Sequence, residues 1–332
     1  MRARELATCL KALIPTKRAV FVHGPPGIGK SEIVAQVAAD MQADLIDIRA
    51  VYFDSVDVRG IPDINGDGLS HWRPPAWLPH DPASRGVLFL DELPQAPPLS
   101  MSAFLQLTLD RKVGEYTLPP GWSVLAAGNR VTDRAGAHHL ITPLLNRFIH
   151  LDLDVNTDDW QAWAIANGIA APVWSFINYR PSLLFQFDPK TDARSFPTPR
   201  SWKFVSDALA STPDEILQPV VSGCVGEGSA MEFIAYMKLF HKLERPDDIA
   251  ARPTKAKVPS DPSELYALCG ALTDFCRELP AAKLSPIVTY ALRMPRLHSI
   301  LLMRDIARVN SQVVTIPEAS EWFDKHKELL KT

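Results

Sequence analysis

The fold of this chain is decided by one stretch, His23-Gly24-Pro25-Pro26-Gly27-Ile28-Gly29-Lys30-Ser31. The apolar run at 19–22 predicts a strand before it, and residues 31–39 have the composition of a helix after it. A strand, a glycine-rich turn and a helix let backbone N–H groups surround a phosphate, and the helix N-terminus adds a favourable dipole. A chance glycine turn is the alternative, but it would not need a strand before it and a helix after it.

The stretch also fits the pattern G-x-x-x-x-G-K-[ST], which ends in a lysine and a hydroxyl residue. In that pattern the lysine ammonium reaches the β- and γ-phosphates of a nucleotide, and the hydroxyl is a ligand for Mg²⁺. The sequence therefore predicts a nucleotide site that also binds magnesium. The predicted loop residues are Gly24, Pro25, Pro26, Gly27, Ile28, Gly29, Lys30 and Ser31.

Length and composition are those of a globular protein with two or three domains. The chain has 332 residues, of which 46% are hydrophobic and 22% are charged. Its formal net charge of −3 excludes a broad basic surface for non-specific nucleic-acid binding, although a local basic patch stays open.

The cysteines and the N-terminus indicate a cytoplasmic protein. The cysteines at 9, 224, 269 and 276 lie far apart in the sequence and have no C-x-x-C spacing, so we expect reduced thiols, with metal binding as the minor alternative. Residues 1–11 have no apolar signal core, and no stretch reaches the ~18 uncharged apolar residues of a membrane helix. We therefore expect no membrane insertion.

Two later strands are predicted to end in functional polar groups. The apolar run 86–90 ends at Asp91 and Glu92, and the run 122–128 ends at Asn129. Parallel sheets bind ligands at the carboxyl ends of their strands. Asp91 would hold Mg²⁺, Glu92 would orient or activate the attacking water, and Asn129 would contact the γ-phosphate or that water. The alternatives are acids that cap the next helix and an asparagine that belongs to a turn.

Residues 51–80 interrupt the alternation of strands and helices. Residues 54–58 have the pattern of a helix start, whereas 60–68 have that of loop and turns, with Asn65-Gly66 and Asp67-Gly68 as candidate hairpin turns. Residues 112–118 resemble a hairpin arm. A long loop in a compact domain is more often functional than accidental, but an insertion that merely packs against the domain is the alternative.

From residue 152 onward the pattern predicts helices. Thr198 is predicted to cap a helix that starts at Pro199, which places the cation of Arg200 in the first turn, against the dipole, where an anionic partner would be favoured. The prolines and lysines of 246–262 are typical of a linker. Residues 263–330 predict further helices whose excess of basic residues indicates a solvated face or a docking patch.

The stretch Leu144-Leu145-Asn146-Arg147-Phe148 predicts the end of a short helix and a last strand, and alone its arginine would be a solvated side chain. Taken together with this stretch, the motifs above resemble those of the AAA+ ATPases, and among them the MoxR-like group. Within the group, the insert near Asp57-Val58-Arg59-Gly60-Ile61-Pro62 and the hairpin before Asn129 carry the resemblance. Arg130 follows Asn129 where proline is usual, as in versions found beside partners with a von Willebrand factor A domain. Gly24 to Ser31 resembles Walker A, and Asp91-Glu92 resembles Walker B. Ala126-Ala127-Gly128-Asn129-Arg130 resembles sensor 1, Leu144-Leu145-Asn146-Arg147-Phe148 resembles the arginine finger, and Thr198-Pro199-Arg200-Ser201 resembles sensor 2.

The resemblance implies an α/β AAA+ P-loop domain with a parallel five-stranded sheet flanked by helices over residues 1–152. It further implies an α-helical lid over 153–250 and a helical C-terminal extension over 251–332. ATP would be held between the subunits of a ring, expected to be a hexamer. Arg147 would complete a neighbour's site. Arg200 would act from the lid, either on the nucleotide of its own subunit or on that of a neighbour, and Arg130 and Arg134 are further candidates.

The function implied is ATP hydrolysis that remodels or activates a protein partner, through a von Willebrand factor A adaptor in some relatives. The insert at 51–80 and the hairpin at 111–120 would line or cap the central pore. A nucleic-acid-associated motor is the alternative, and the acidic net charge argues against it. A nucleotide-binding scaffold without hydrolysis is disfavoured by the presence of both acids and both arginines.

Overall fold

The structure is a computed structural model that describes residues 1–64, 69–130, 133, 145–191 and 193–326. The chain divides into two compact units. The first comprises Met1–Asn156 with Asp188–Thr191, and the second comprises Thr157–Phe187 with Asp192–Thr332. All described strands belong to the first unit, and the second unit is helical.

The first unit combines nine described strands with four described α-helices. The helices are α1 (Ala3–Leu13), α2 (Lys30–Asp40), α3 (Ser55–Arg59) and α4 (Pro98–Leu109). The strands are β1 (Ala19–His23), β2 (Asp44–Arg49), β3 (Ile61–Ile64), β4 (Ser70–Arg73), β5 (Arg85–Asp91), β6 (Lys112–Val113), β7 (Tyr116–Thr117), β8 (Gly121–Gly128) and β9 (Phe148–Asp152).

Five of these strands form the predicted parallel sheet, in the order β2-β5-β8-β1-β9. The register pairs His23 of β1 with Gly128 of β8, and Leu90 of β5 with Ala126 of β8. The carboxyl ends of β1, β5 and β8 therefore meet at one edge. The prediction of a five-stranded parallel sheet flanked by helices, with a helical region after it, is confirmed.

Helices cover both faces of the sheet, which explains its continuous apolar strands. The face packed against α1 and α2 buries Leu6, Leu10, Val20, Val22, Val34, Val37, Phe89 and Leu125. The opposite face, packed against α4, buries Phe21, Leu88, Leu90, Met101, Phe104, Leu107, Val124 and Ala126. Because successive side chains of a strand point to opposite faces, neighbouring residues such as Phe21 and Val22 belong to different clusters.

Two small antiparallel strand pairs, β3 with β4 and β6 with β7, lie outside the main sheet. The pair β6 and β7 forms the hairpin predicted near residue 115. The prediction of loop and turns at 60–68 was wrong for Ile61–Ile64, which pairs antiparallel with β4. Ile61 and Ile64 are exposed, so this strand lacks the alternating burial that would have marked it. The predicted turns at 65–68 lie outside the described residues.

The second unit consists of helices and the segments that connect them. They are α5 (Thr157–Ala166), α6 (Ala171–Tyr179), α7 (Pro199–Leu209), α8 (Asp214–Val225), α9 (Glu227–Phe240), α10 (Pro246–Ala251), α11 (Pro262–Cys276), α12 (Ala281–Ala291), α13 (Arg296–Val309) and α14 (Pro317–Lys325). In the part of the chain that the structure describes, no helix has the length and apolar content needed to cross a membrane.

The linker predicted at 246–262 was wrong over its first part, where α10 forms. Pro246 occupies the first turn of this helix, a position that suits proline because its missing N–H would have no partner there. Ile249 is fully buried in the cluster that also contains Leu268 and Ile287. A short helix anchored by one buried side chain is difficult to distinguish from a linker by composition.

Candidate functional site

The loop between β1 and α2 needs glycine at its two ends. Gly29 has a φ of +91°, a left-handed conformation that other residues rarely adopt. At Gly24, a Cβ atom would lie 2.7 Å from Ile28 Cδ1 and 2.9 Å from the carbonyl oxygen of Leu153. The predicted phosphate loop is thus closely packed at its start, and its last glycine is in a left-handed conformation directly before α2.

The ammonium group of Lys30 lies at the centre of this loop. It donates hydrogen bonds to the carbonyl oxygens of Gly24 (2.7 Å) and Pro25 (2.9 Å), and to Oδ1 of Asn129 (3.0 Å). Asn129 follows the carboxyl end of β8, which is next to β1 in the sheet. The structure therefore brings together the lysine, the loop and the asparagine that the sequence placed in one site.

The Ser31 hydroxyl donates a 2.6 Å hydrogen bond to Oδ2 of Asp91. Asp91 ends β5 and is only 9% exposed, and its other oxygen accepts a bond from the backbone N–H of Glu92 (2.9 Å). A hydroxyl and a carboxylate side by side are the oxygen ligands that Mg²⁺ prefers.

Burial, followed by the negative charge of Asp91, raises the pKa of Asp47 on the neighbouring strand β2.

Glu92 has a φ of +56°, which is uncommon for a residue other than glycine. A left-handed conformation of this kind costs of order 1–3 kcal/mol and persists only where the surrounding structure enforces it. Glu92 precedes the 3₁₀ turn Leu93–Gln95, and its side chain makes no capping hydrogen bond there. The alternative of an acid that merely caps the next helix therefore finds no support in the described residues.

Arg147 lies away from these side chains. It immediately precedes Phe148, which pairs with Ala19 at the amino end of β1. Four residue steps separate Ala19 from His23, about 13 Å along a strand. Nη1 of Arg147 donates a 2.9 Å hydrogen bond to the carbonyl oxygen of Leu105 in α4. The structure does not bring Arg147 to the phosphate loop of its own chain.

Arg200 is exposed in the first turn of α7, in the second unit. The predicted start of this helix is confirmed, since Thr198 Oγ1 accepts a 3.0 Å hydrogen bond from the backbone N–H of Ser201 and Pro199 is the first helical residue. The guanidinium therefore sits at a helix N-terminus, as the sequence predicted.

Arg130 has a set of partners that its sequence position did not predict. Its guanidinium forms ion pairs with Asp152 (3.2 Å) and Asp154 (2.8 Å). The hydrogen bond to Asp154 is the largest cause of the raised pKa of Arg130, and the pKa of Asp154 is lowered in turn. These contacts tie the end of β8 to the end of β9. Arg134 lies outside the described residues.

Sequence reasoning missed a histidine pair beside the loop. Nε2 of His23, the last residue of β1, lies 2.8 Å from Nδ1 of His150 in β9. The two residues are 127 positions apart, so no local motif joins them. The available signal was positional, because both histidines fall in strands next to candidate motifs.

No protein-family model matches this chain, and neither does any curated protein. Solved structures do match, among them a RuvB mutant from Thermotoga maritima, with 16% identity, 80% of this chain and 86% of that chain covered, and a TM-score of 0.40. NtrX from Brucella abortus in complex with ATP has 11% identity, 98% and 67% coverage, and a TM-score of 0.41. A putative ATPase from Cytophaga hutchinsonii has 13% identity, 97% and 88% coverage, and a TM-score of 0.37. Likenesses this distant carry no argument about activity, ligand or assembly, so function has to be inferred from the chain's own residues.

Proposed function

We propose that this protein is an ATP-hydrolysing AAA+ ATPase of the MoxR-like kind, which acts as a ring to remodel or activate a protein partner. One observation carries the proposal. Lys30, Ser31, Asp91 and Asn129 come from three separate elements and converge on one glycine loop, with polar atoms 2.6–3.0 Å apart. The chemistry of the four groups suits a nucleoside triphosphate with magnesium.

Each group has a role that its position supports. The Lys30 ammonium would exchange its carbonyl and amide partners for β- and γ-phosphate oxygens. Ser31 and Asp91 would hold Mg²⁺, which neutralises phosphate charge when bound. Glu92, held at the carboxyl edge of β5, would orient or activate the attacking water, and Asn129 would hydrogen-bond the γ-phosphate or that water.

The position of Arg147 supports a shared site. An arginine at the amino edge of the sheet is too far from the loop at the carboxyl edge to act within one chain. It would therefore complete the site of a neighbouring subunit, and such an arginine is worth roughly 10³–10⁵ in rate. A ring, which we propose to be a hexamer, gives every site one such neighbour. Arg200 would act on ATP from a lid formed by residues 153–250, with 251–332 as an extension.

The insert supports a protein partner. Its exposed apolar side chains include Tyr52 and Ile64, each 75% exposed, with Ile61 and Leu69 beside them in sequence. Tyr52, Val56 and Trp77 also line a groove of about 510 Å³. A contiguous exposed apolar patch commonly marks a contact surface. We propose that this insert contacts the remodelled protein, directly or through an adaptor with a von Willebrand factor A domain.

The first test is ATP hydrolysis by the purified chain with magnesium, with and without DNA, at low and high salt. We expect phosphate release that DNA leaves unchanged and that Lys30→Ala abolishes. Absence of ATP binding by the wild-type chain would overturn the proposal. Stimulation by DNA that fades with salt would replace it by the nucleic-acid motor.

The second test concerns the partner. The Glu92→Gln protein, loaded with ATP and used as bait, should retain a specific set of chains that the Lys30→Ala protein does not retain. Adding back the purified partner should raise the wild-type ATPase rate. Retention of the same chains without nucleotide, and no effect of the partner on the rate, would contradict ATP-driven remodelling.

A further inference from the structure

A hydrogen-bonded chain of two histidines crosses one face of the sheet. Nε2 of His23 lies 2.8 Å from Nδ1 of His150, and Nε2 of His150 lies 2.7 Å from the carbonyl oxygen of Leu145. The ring centroids lie 5.1 Å apart and the ring planes are inclined by 27°. Phe21 packs against both rings at 4.3 and 5.9 Å. Neighbouring aromatic rings therefore hold the chain in one geometry.

The carbonyl oxygen of Leu145 fixes the direction of these two hydrogen bonds. A carbonyl oxygen only accepts, so the hydrogen of neutral His150 must be on Nε2. Nδ1 of His150 is then an acceptor, and Nε2 of His23 must donate to it. The bonds run from His23 to His150 to Leu145, and this arrangement needs Nδ1 of His150 to carry no hydrogen.

Burial and most of the charged groups around His23 favour its neutral form. Burial is the largest cause of the lowered pKa of His23, followed by His150. Arg130 after β8 and Lys30 at the start of α2 lower it further, and Asp152 of β9 opposes them. A neutral His23 can carry its hydrogen on Nε2, as the bond to His150 requires.

The two histidine hydrogen bonds link the start of the phosphate loop to the turn that carries Arg147. His23 directly precedes Gly24, the first residue of the phosphate loop, at the carboxyl edge of the sheet. Leu145 lies two residues before Arg147, at the amino edge. We propose that His23 and His150 are positioning residues that hold the 145–147 turn, so that Arg147 is presented correctly to the γ-phosphate in the neighbouring subunit. This inference rests on the proposed function of Arg147.

Among the described residues, two side-chain hydrogen bonds hold the 145–147 turn, and the one from His150 does not involve the side chain of Arg147. Arg147 itself is bonded to Leu105 of α4 through Nη1. Leu145 is bonded to His150 through its backbone. Loss of the second attachment would leave the guanidinium present but free to shift with its turn, and a shift of about 1 Å in a catalytic group can cost 10²-fold in rate.

The first measurement compares binding with turnover in His150→Phe, which keeps an aromatic ring but removes both hydrogen bonds. We expect ATP affinity within about twofold of wild type, which also reports correct folding, and a kcat at least about tenfold lower. His150→Gln keeps a donor and an acceptor and should recover most of the rate. The control is His326→Phe, because His326 is also bonded to a backbone carbonyl (2.8 Å, Trp322) and stacked on an aromatic ring.

The second measurement asks which subunit carries the defect. Mixed rings of Arg147→Ala and Glu92→Gln subunits should recover activity, because only the Arg147→Ala subunits hydrolyse ATP and only the Glu92→Gln subunits supply the arginine. Adding His150→Phe to the Glu92→Gln subunits should remove at least about tenfold of the recovered rate. Adding it to the Arg147→Ala subunits should leave that rate unchanged.

The outcomes separate the two proposals. An equal loss with His150→Phe on either subunit, or no loss on both, would overturn the positioning role while leaving the shared site in place. No recovery in rings shown to be mixed, before any histidine is changed, would refute the shared site and the positioning role together. A wild-type kcat in the His150→Phe homomeric ring would refute the positioning role alone.

Discussion

Replacing Lys30 by alanine should affect both the stability and the nucleotide binding of the first unit. The ammonium donates three hydrogen bonds, to two loop carbonyls and to Asn129. A charged donor contributes about 1.5–3 kcal/mol per bond when buried, and less where water can replace it. Because this site is partly exposed, we expect Lys30→Ala to lower the free energy of unfolding by about 2 kcal/mol in total.

Lys17 provides a matched control for this substitution. Its ammonium is also partly buried and also donates to a backbone carbonyl, that of Gly121 at 2.9 Å, but at the opposite edge of the sheet. Lys17→Ala removes this bond and should lower the free energy of unfolding by about 1 kcal/mol. It should leave ATP binding unchanged, since no phosphate group is expected near it.

Denaturant unfolding with and without Mg-ATP measures both effects. ATP at 100 times its Kd should stabilise the wild type and Lys17→Ala by about 2.7 kcal/mol. The same concentration should stabilise Lys30→Ala by at most about 0.4 kcal/mol, because loss of the ammonium should weaken binding at least about 100-fold, equivalent to about 2.7 kcal/mol. ATP stabilisation of Lys30→Ala equal to that of the wild type would refute the assignment of the nucleotide site.

Further substitutions test other parts of the site. Glu92→Gln should bind ATP normally and turn over about 10²–10⁴-fold more slowly in single-turnover assays, with Glu318→Gln as an exposed control; equal rates would exclude Glu92 as the group that activates water. Arg147→Ala in all subunits should lower kcat about 10³-fold without changing ATP affinity measured by titration. Gly24→Ala, whose Cβ would meet the Leu153 carbonyl at 2.9 Å, should destabilise the first unit by about 1–3 kcal/mol in denaturant unfolding. Burial lowers the pKa of His23 in the folded state, so its contribution to the free energy of unfolding is present above about pH 6.5. That contribution is lost as the pH falls through the lower folded-state pKa. The decrease in the free energy of unfolding between pH 7.5 and 5.5 should therefore be smaller in His23→Phe than in the wild type.

The parts of the fold that could be predicted are those with local causes. The loop at 24–31 requires glycines at fixed positions, and the apolar run 86–90 requires a sheet with both faces covered. Since parallel strands end at a common edge, the positions of Asp91 and Asn129 next to the loop followed from chain order. These causes act over a few residues, so one sequence is enough to identify them.

The parts that were missed depend on contacts between distant residues. Helix α10 is held by Ile249 in a core formed by helices that follow it, and its proline and charged residues conceal that contact. Ile61–Ile64 is a strand because of its pairing with β4, whereas its own side chains are exposed. The bond between His23 and His150 depends on the register of β1 and β9, which no local pattern encodes.

The hydrogen bond from Arg147 to Leu105 has a thermodynamic consequence. Freezing a long arginine side chain into one rotamer costs about 2 kcal/mol of conformational entropy. Nη1 is already fixed on the α4 carbonyl, while the remaining N–H groups of the guanidinium have no partner among the described residues. Most of the ordering cost is thus met within the folded chain, before any neighbour arrives. An anion that meets this arginine would encounter donors already arranged in space, so binding would lose less entropy than with a freely rotating side chain.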